Sequence, residues 1–227
     1  MLPDIKNETI KNLIKAFKRR FPRTRYVWAM LSFPLRRSSL HQLGWFKSAW
    51  RMSSIDEKGN PVPWLNYPAI HFIKIKKDKF KKLSVWEWGS GNSTMWWSKY
   101  SSSVTSVEYD KGWMDRVSEQ IKKKNAKLIF SELDKNYPST ILDSKKKYDV
   151  IVVDGRMRVE CATNALKCLT KRGVIIWDNT DRERYKKGID LIKKQGFKSL
   201  DFYGPAPIDN YLTQTSIYYR PGNALDI

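Results

Sequence analysis

The stretch Val85-Trp86-Glu87-Trp88-Gly89-Ser90-Gly91-Asn92-Ser93-Thr94 constrains the fold more than any other part of the chain. An apolar run ends in an acid and breaks into Gly-x-Gly, and a small polar residue, Ser93, opens the next segment. The pattern is that of a strand, a tight turn and a helix start. Glycine has no side chain to hold a ligand off, so backbone N–H groups in such a turn come close to a bound molecule. The turn points to a nucleoside-containing cofactor, with Gly89, Ser90, Gly91 and Ser93 as candidate contacts.

A second strand, Val104-Thr105-Ser106-Val107-Glu108, ends in an acid 21 residues after Glu87. In open α/β sheets an acid at this place hydrogen-bonds a ribose, and roughly 20 residues is the usual distance from the glycine turn. Dinucleotide sites have a third glycine where Thr94 stands here. That departure argues against NAD or FAD and suits a ligand with no pyrophosphate, such as S-adenosylmethionine.

Taken together, Glu87-Trp88-Gly89-Ser90-Gly91, Glu108, Val153-Asp154-Gly155 and Trp177-Asp178-Asn179 resemble class I S-adenosylmethionine-dependent methyltransferases. The resemblance covers about residues 83–220. It implies a Rossmann-like α/β fold: a mostly parallel seven-stranded sheet with helices on both faces and an antiparallel terminal strand. Residues 69–80 are predicted to form one helix that delivers the chain to the first strand, and from Leu83 the chain alternates accordingly. Strands are predicted near 84–88, 103–108, 127–130, 148–153 and 173–177, with helices near 93–101, 111–124, 138–144, 157–170 and 182–195. Gly196–Tyr203 and Gln214–Arg220 look like the two terminal strands, the last one antiparallel. The expected organisation is a basic, aromatic-rich extension or lid over residues 1–82 and a cofactor-binding domain over 83–227.

Ligands of such sheets bind outside the carboxyl ends of the strands. Glu87, Glu108, Glu132, Asp154 and Asp178 are all expected there. Gly89 and Gly91 let the backbone reach the methionine end of the cofactor, and Glu87 is a candidate partner for its ammonium. Glu108 is expected to accept from both ribose hydroxyls, because a carboxylate takes two donors at once. Glu132 is placed to face the adenine. Trp88, Tyr109 and Trp177 are candidates to pack on the adenine or line the acceptor pocket, with core packing as the alternative. N-terminal segments commonly cover the substrate pocket in methyltransferases of this type, which makes Trp64, Tyr67 and His71 candidate lid or acceptor contacts.

The stretches ending Val153-Asp154 and Trp177-Asp178-Asn179 are further similar to the cation-dependent O-methyltransferases of the catechol and caffeoyl-CoA type. That similarity implies Mg²⁺ or another divalent cation held by Asp154, Asp178 and Asn179, lowering the pKa of an acceptor hydroxyl. The family's lysine base is absent: its position is Met157, flanked by Arg156 and Arg158, and arginine cannot serve as a base. Metal-only activation, with Asp154 and Asp178 as catalytic groups, and a base such as His71 remain as readings. Arg156 and Arg158 are also candidates to clamp an anionic acceptor.

Composition bounds the rest. The 227 residues carry a net charge of +20, and residues 1–82 hold 19 Lys/Arg against 5 Asp/Glu, or +14. A segment this basic attracts nucleic acid, an anionic membrane surface or an acidic glycan. The alternative is solvated charge from a lysine-rich composition. Ile5, Ile10, Leu13, Ile14, Phe17 and Phe21 recur at near-helical spacing and predict an amphipathic basic helix over residues 5–21. No run of 18 apolar residues exists to span a membrane, and Tyr26–Leu35 is too broken for a signal peptide. Cys161 and Cys168, two helical turns apart, cannot form a disulfide, which points to a reducing, cytoplasmic location, with peripheral membrane contact through the basic segment as an added reading. The function expected is O-methylation of a small molecule or sugar hydroxyl. RNA or DNA methylation is the second reading, although an Asp/Asn-Pro-Pro-Tyr type signature is absent. A non-catalytic polyanion-binding protein is the third.

Overall fold

Strand β1 (Ser84–Trp88) lies in the middle of a seven-stranded sheet. Val85, Trp86, Glu87 and Trp88 are all buried, because a central parallel strand is covered on both faces. The computed structural model describes residues 38–121 and 124–227, with isolated positions between 8 and 21. Tyr26–Leu35 and most of the helix expected over residues 5–21 lie outside the described residues.

The described chain opens with two short helices, α1 (Ser39–Leu43) and α2 (Trp45–Arg51), and a turn closed by the Ile55–Pro61 bridge. Helix α3 (Tyr67–Ile75) is capped by Asn66, whose Oδ1 accepts from the Ala69 N–H at 3.0 Å, with Pro68 in the first turn. The single helix predicted over 69–80 breaks at Lys76, and α4 (Lys77–Phe80) follows. The Rossmann-like part then runs β1, α5 (Asn92–Tyr100), β2 (Ser103–Glu108), α6 (Lys111–Gln120), β3 (Ala126–Phe130) and a 3-10 turn (Tyr137–Ser139). It continues through α7 (Thr140–Asp143), β4 (Tyr148–Val153), α8 (Arg158–Cys168) and β5 (Leu169–Asp178). A second 3-10 turn (Glu183–Tyr185), α9 (Lys186–Lys194), β6 (Lys198–Pro205) and β7 (Leu212–Tyr219) complete it.

The strand order is β3-β2-β1-β4-β5-β7-β6. Strands β1 to β5 pair in parallel, and β7 runs antiparallel to both β5 and β6. The order reverses between β1 and β4, which places the switch point next to the glycine turn.

Strand alternation sorts the core into two layers. Trp86, Trp88, Ile151, Val153, Ile175 and Trp177 point to one face, packed beneath Tyr137, Ile141 and the small residues Cys161, Ala162 and Ala165 of α8. Val85, Val150, Val152, Val174 and Ile176 point to the other, beneath Ile70 and Ile73 of α3 and Trp96 and Trp97 of α5. The segment expected to act as an extension therefore supplies core: Val62, Leu65, Ala69, Ile70, Ile73 and Phe80 are buried. Both cysteines are free and buried. Among the described residues no helix is long and apolar enough to cross a membrane.

Candidate active site

A cleft of about 270 Å³ opens at the carboxyl ends of β1, β2 and β4, lined by the 89–93 turn, Glu108, Tyr109, Asp154 and Arg156. The turn is shaped by backbone that favours glycine: Gly89 has φ 97° and Gly91 φ 152°. Thr94 explains the absent third glycine. Its hydroxyl accepts from the Gly91 N–H at 3.2 Å and donates to Glu87 Oε2 at 2.7 Å, tying the turn to the strand beneath it.

Glu87 does not reach the cleft, contrary to its expected place at the cofactor's ammonium. It shares the Val85 face of β1, is 1% exposed, and accepts from Thr94, from Ser106 Oγ at 2.7 Å and from Trp97 Nε1 at 3.1 Å. Burial pushes its carboxyl above the ordinary range despite these donors. Its observed work is to fasten the turn to β2 and α5.

Glu108 does line the cleft. Oε2 accepts from the Ser90 N–H at 3.0 Å and the Ser90 hydroxyl at 2.8 Å, while Oε1 accepts from the N–H groups of Tyr109 and Asp110 at 2.9 and 3.1 Å. Three of these donors are backbone and fix the carboxylate in place. The Ser90 hydroxyl is the donor free to rotate. Glu132, expected at the adenine, is exposed in the loop after β3 and is not part of the cleft wall.

Asp154 lines the cleft, whereas Asp178 is buried at 5% exposure and accepts from Thr215 Oγ1 at 2.7 Å. Between them stands Arg158. Its guanidinium donates to Asp154 Oδ1 at 2.9 Å and Asn179 Oδ1 at 3.2 Å and pairs with Asp178 Oδ2 at 3.6 Å. It also donates to the backbone carbonyls of Asp154, Gly155 and Asp178. A protein cation thus occupies the place that the sequence reading gave to a divalent metal. The ligand set Asp154, Asp178 and Asn179 does not fit a resident ion, because each offers an oxygen to Arg158, and the amide nitrogen of Asn179 donates to Thr213. Burial raises the carboxyl pKa of Asp154 and Asp178, and Arg158 pulls both back down. Arg158 itself, expected to clamp an anionic acceptor, has its donors committed within the protein. Arg156 is exposed, with its guanidinium over the Tyr109 ring at 5.6 Å.

The lid candidates separate. Trp64 sits at the cleft, and its indole N–H donates to Asp209 Oδ2 at 3.1 Å. Tyr67 and His71 line a different hollow of about 430 Å³ with Asp56 and Lys74, so neither is a cleft contact and His71 is no base for this site. Trp88 and Trp177 are fully buried core rather than cleft wall, while Tyr109 lines the cleft.

Sequence reasoning missed several wall residues. Met52, Ser53 and Ser54 cross over the turn, held by Asn92 Nδ2, which donates to Ser53 Oγ at 2.8 Å and the Ser54 carbonyl at 2.6 Å. Trp113 closes another side, its indole N–H on the Ser90 carbonyl at 2.8 Å. Tyr137 forms part of the floor, and Trp88 Nε1 donates to its backbone carbonyl at 3.2 Å. The polar residue after the second glycine and the Tyr-Pro pair after β3 were the available signals.

No protein-family model and no curated protein matches the chain. Solved structures do. A precorrin 8W decarboxylase from Methanobacterium thermoautotrophicum is similar at TM-score 0.51 and 14% identity, covering 70% of this chain and 94% of that one. An rRNA methylase from Streptococcus thermophilus is similar at TM-score 0.51 and 12% identity, covering 69% of this chain and 99% of that one. Spermidine synthase from Thermotoga maritima reaches TM-score 0.52 at 13% identity, over 70% of this chain and 61% of its own length. These names span different reactions, so the shared feature is architecture. With its 3-2-1-4-5-7-6 sheet, antiparallel seventh strand and glycine turn at the switch point, the chain has the Rossmann-like fold of class I methyltransferases.

Proposed function

We propose that the chain is an S-adenosylmethionine-dependent methyltransferase acting on a hydroxyl of a small molecule or sugar. The observation that carries this reading is the convergence of the Gly89–Gly91 turn and Glu108 on one cleft beside the switch point. The turn offers backbone to the methionine end of the cofactor. Glu108, fixed by three backbone donors, accepts the ribose hydroxyls once the Ser90 hydroxyl rotates away. Tyr109 flanks the base.

Bound S-adenosylmethionine supplies an electrophilic methyl group. The chain's own residues align the acceptor and exclude water, which carries most of the rate for an in-line displacement. Trp64, Met52 and Trp113 form the mouth that does this. Asp154 is the carboxylate at the acceptor side of the cleft, held by Arg158, and it takes the acceptor's hydroxyl proton. Burial raises its pKa, which makes it a stronger base than an ordinary aspartate, and the Arg158 guanidinium opposes that rise. No step runs through a metal.

The +14 segment over residues 1–82 supports a second reading, methylation of RNA. One experiment separates the two. The chain is incubated with methyl-labelled S-adenosylmethionine and either a metabolite extract or total RNA. Label in the metabolite fraction supports the proposal, label in RNA replaces it with the second reading, and label in neither contradicts both. In the labelled fraction, Asp154→Asn is expected to lower kcat by about 10²-fold or more. The wild-type rate is expected to rise with pH through the Asp154 pKa, and a flat profile counts against the base assignment.

A further inference from the structure

Beside the cleft lies a second hollow of about 360 Å³, which shares Gly155, Arg156 and Arg158 with it and adds Arg182, Arg184 and Tyr185. Its charge is lopsided. Glu160, exposed on the first turn of α8, is the carboxylate among the lining residues, facing four guanidiniums. Arg158 is neutralised by Asp154 and Asp178. Arg156, Arg182 and Arg184 form no ion pair with any described residue. Arg156 and Arg184 lie instead over the rings of Tyr109 and Tyr185, at 5.6 and 4.9 Å. Arg182 is half-buried and near enough to Asp154 and Asp178 to lower their pKa without contacting either.

A second feature meets these arginines. Helix α8 begins here, and Met157 at its N-cap gives no side-chain hydrogen bond to the first turn. Met157 sits at φ 47°, a left-handed conformation that costs a non-glycine residue energy and is kept where the surroundings enforce it. The first N–H groups of an 11-residue helix, with the positive end of its dipole, thus open on the hollow that holds the unpaired guanidiniums.

We propose that this hollow binds a phosphate group of the methyl acceptor, so that the acceptor is a phosphorylated small molecule. The proposal rests on the methyltransferase reading for the adjoining cleft. Three guanidiniums without a carboxylate partner, one of which (Arg156) also donates to the Tyr109 hydroxyl at 3.3 Å, and an uncapped helix start offer more donors than one carboxylate accepts. A phosphate presents three peripheral oxygens and matches the planar guanidinium fork. The hollow's volume of about 360 Å³ accommodates one phosphate and its attached group. It adjoins Asp154, so a phosphate held there directs the attached hydroxyl toward the cleft.

The test uses the full chain, with inorganic pyrophosphate as probe and calorimetry as readout. S-adenosylmethionine is titrated in parallel. Saturable pyrophosphate binding is expected, weakened about tenfold or more in Arg182→Ser/Arg184→Ser, since charge-assisted hydrogen bonds are lost. Arg182→Lys/Arg184→Lys is expected to recover part of it. Neither arginine forms an ion pair, so the variants should melt as the wild type does, and circular dichroism checks this. Pyrophosphate binding that is absent in the millimolar range, or equal in wild type and the serine variant, overturns the proposal. So does loss of affinity for a short single-stranded RNA without any pyrophosphate binding, which would make the hollow a nucleic-acid contact. Absence of S-adenosylmethionine binding is a separate result and strikes the underlying reading instead.

Discussion

Gly155 shows how tightly individual residues set the cleft. A Cβ added there would overlap the Tyr137 hydroxyl and come within 3.0 Å of the Trp88 carbonyl carbon. Gly155→Ala is therefore expected to cost about 1–3 kcal/mol of stability. Adding Tyr137→Phe removes the overlapped oxygen, and urea unfolding should show part of the loss recovered. The same scale explains which acids were legible. Sequence position brings Glu87, Glu108, Glu132, Asp154 and Asp178 to strand ends, and the structure leaves only Glu108 and Asp154 of these on the cleft wall. The difference is side-chain direction. Glu87 shares a strand face with Val85 and points under α5, and Asp178 turns to Thr215 and Arg158. Alternation along β1 carries that information for Glu87. Nothing local to Asp178 does, because its partners are 20 and 37 residues away.

At the scale of elements, Arg158 acts as a strap between the loops after β4 and β5. It is 10% exposed and joins the half-buried carboxylate of Asp154 to the buried one of Asp178. Arg158→Met leaves both unpaired, with an expected loss of about 3–5 kcal/mol at neutral pH. The sign of the pH dependence follows from the carboxyls. Their pKa values are raised by burial and rise further without the guanidinium, so acidification neutralises them and shrinks the penalty. Unfolding of the variant at neutral and at acid pH checks this, and a penalty that grows on acidification contradicts it. The strap also predicts that turnover is unchanged in excess chelator, while chelator-sensitive turnover would return Asp154, Asp178 and Asn179 to metal duty. Strands β1, β2 and β4 were read to the residue because buried parallel strands are continuous apolar runs bounded by glycine and acid, whereas β5 begins four residues before its predicted start. The helix over 69–80 was read as one piece, since its apolar spacing continues through the break at Lys76.

Across the whole molecule, the sheet sets the position of the cleft and the N-terminal segment shapes its mouth. Asn92 pins residues 53 and 54 over the turn, and the loop after β6 holds the segment from the other side through Asp209, which accepts from Trp45 and Trp64. None of these contacts was legible, because each joins residues far apart in sequence without a repeating pattern. The mostly parallel seven-stranded sheet with its antiparallel last strand, by contrast, was legible, because the glycine turn and the strand–helix alternation agree on one class of fold, while the strand order itself came from the structure. The central claim is that this cleft binds S-adenosylmethionine through the glycine turn and Glu108. Calorimetric titration of the full chain with S-adenosylmethionine tests it directly. The account predicts saturable binding at one site, weakened by about 1.5–3 kcal/mol in Glu108→Ala, where hydrogen bonds to a charged acceptor are lost. Binding that is absent at millimolar cofactor, or unaffected by Glu108→Ala, would contradict it.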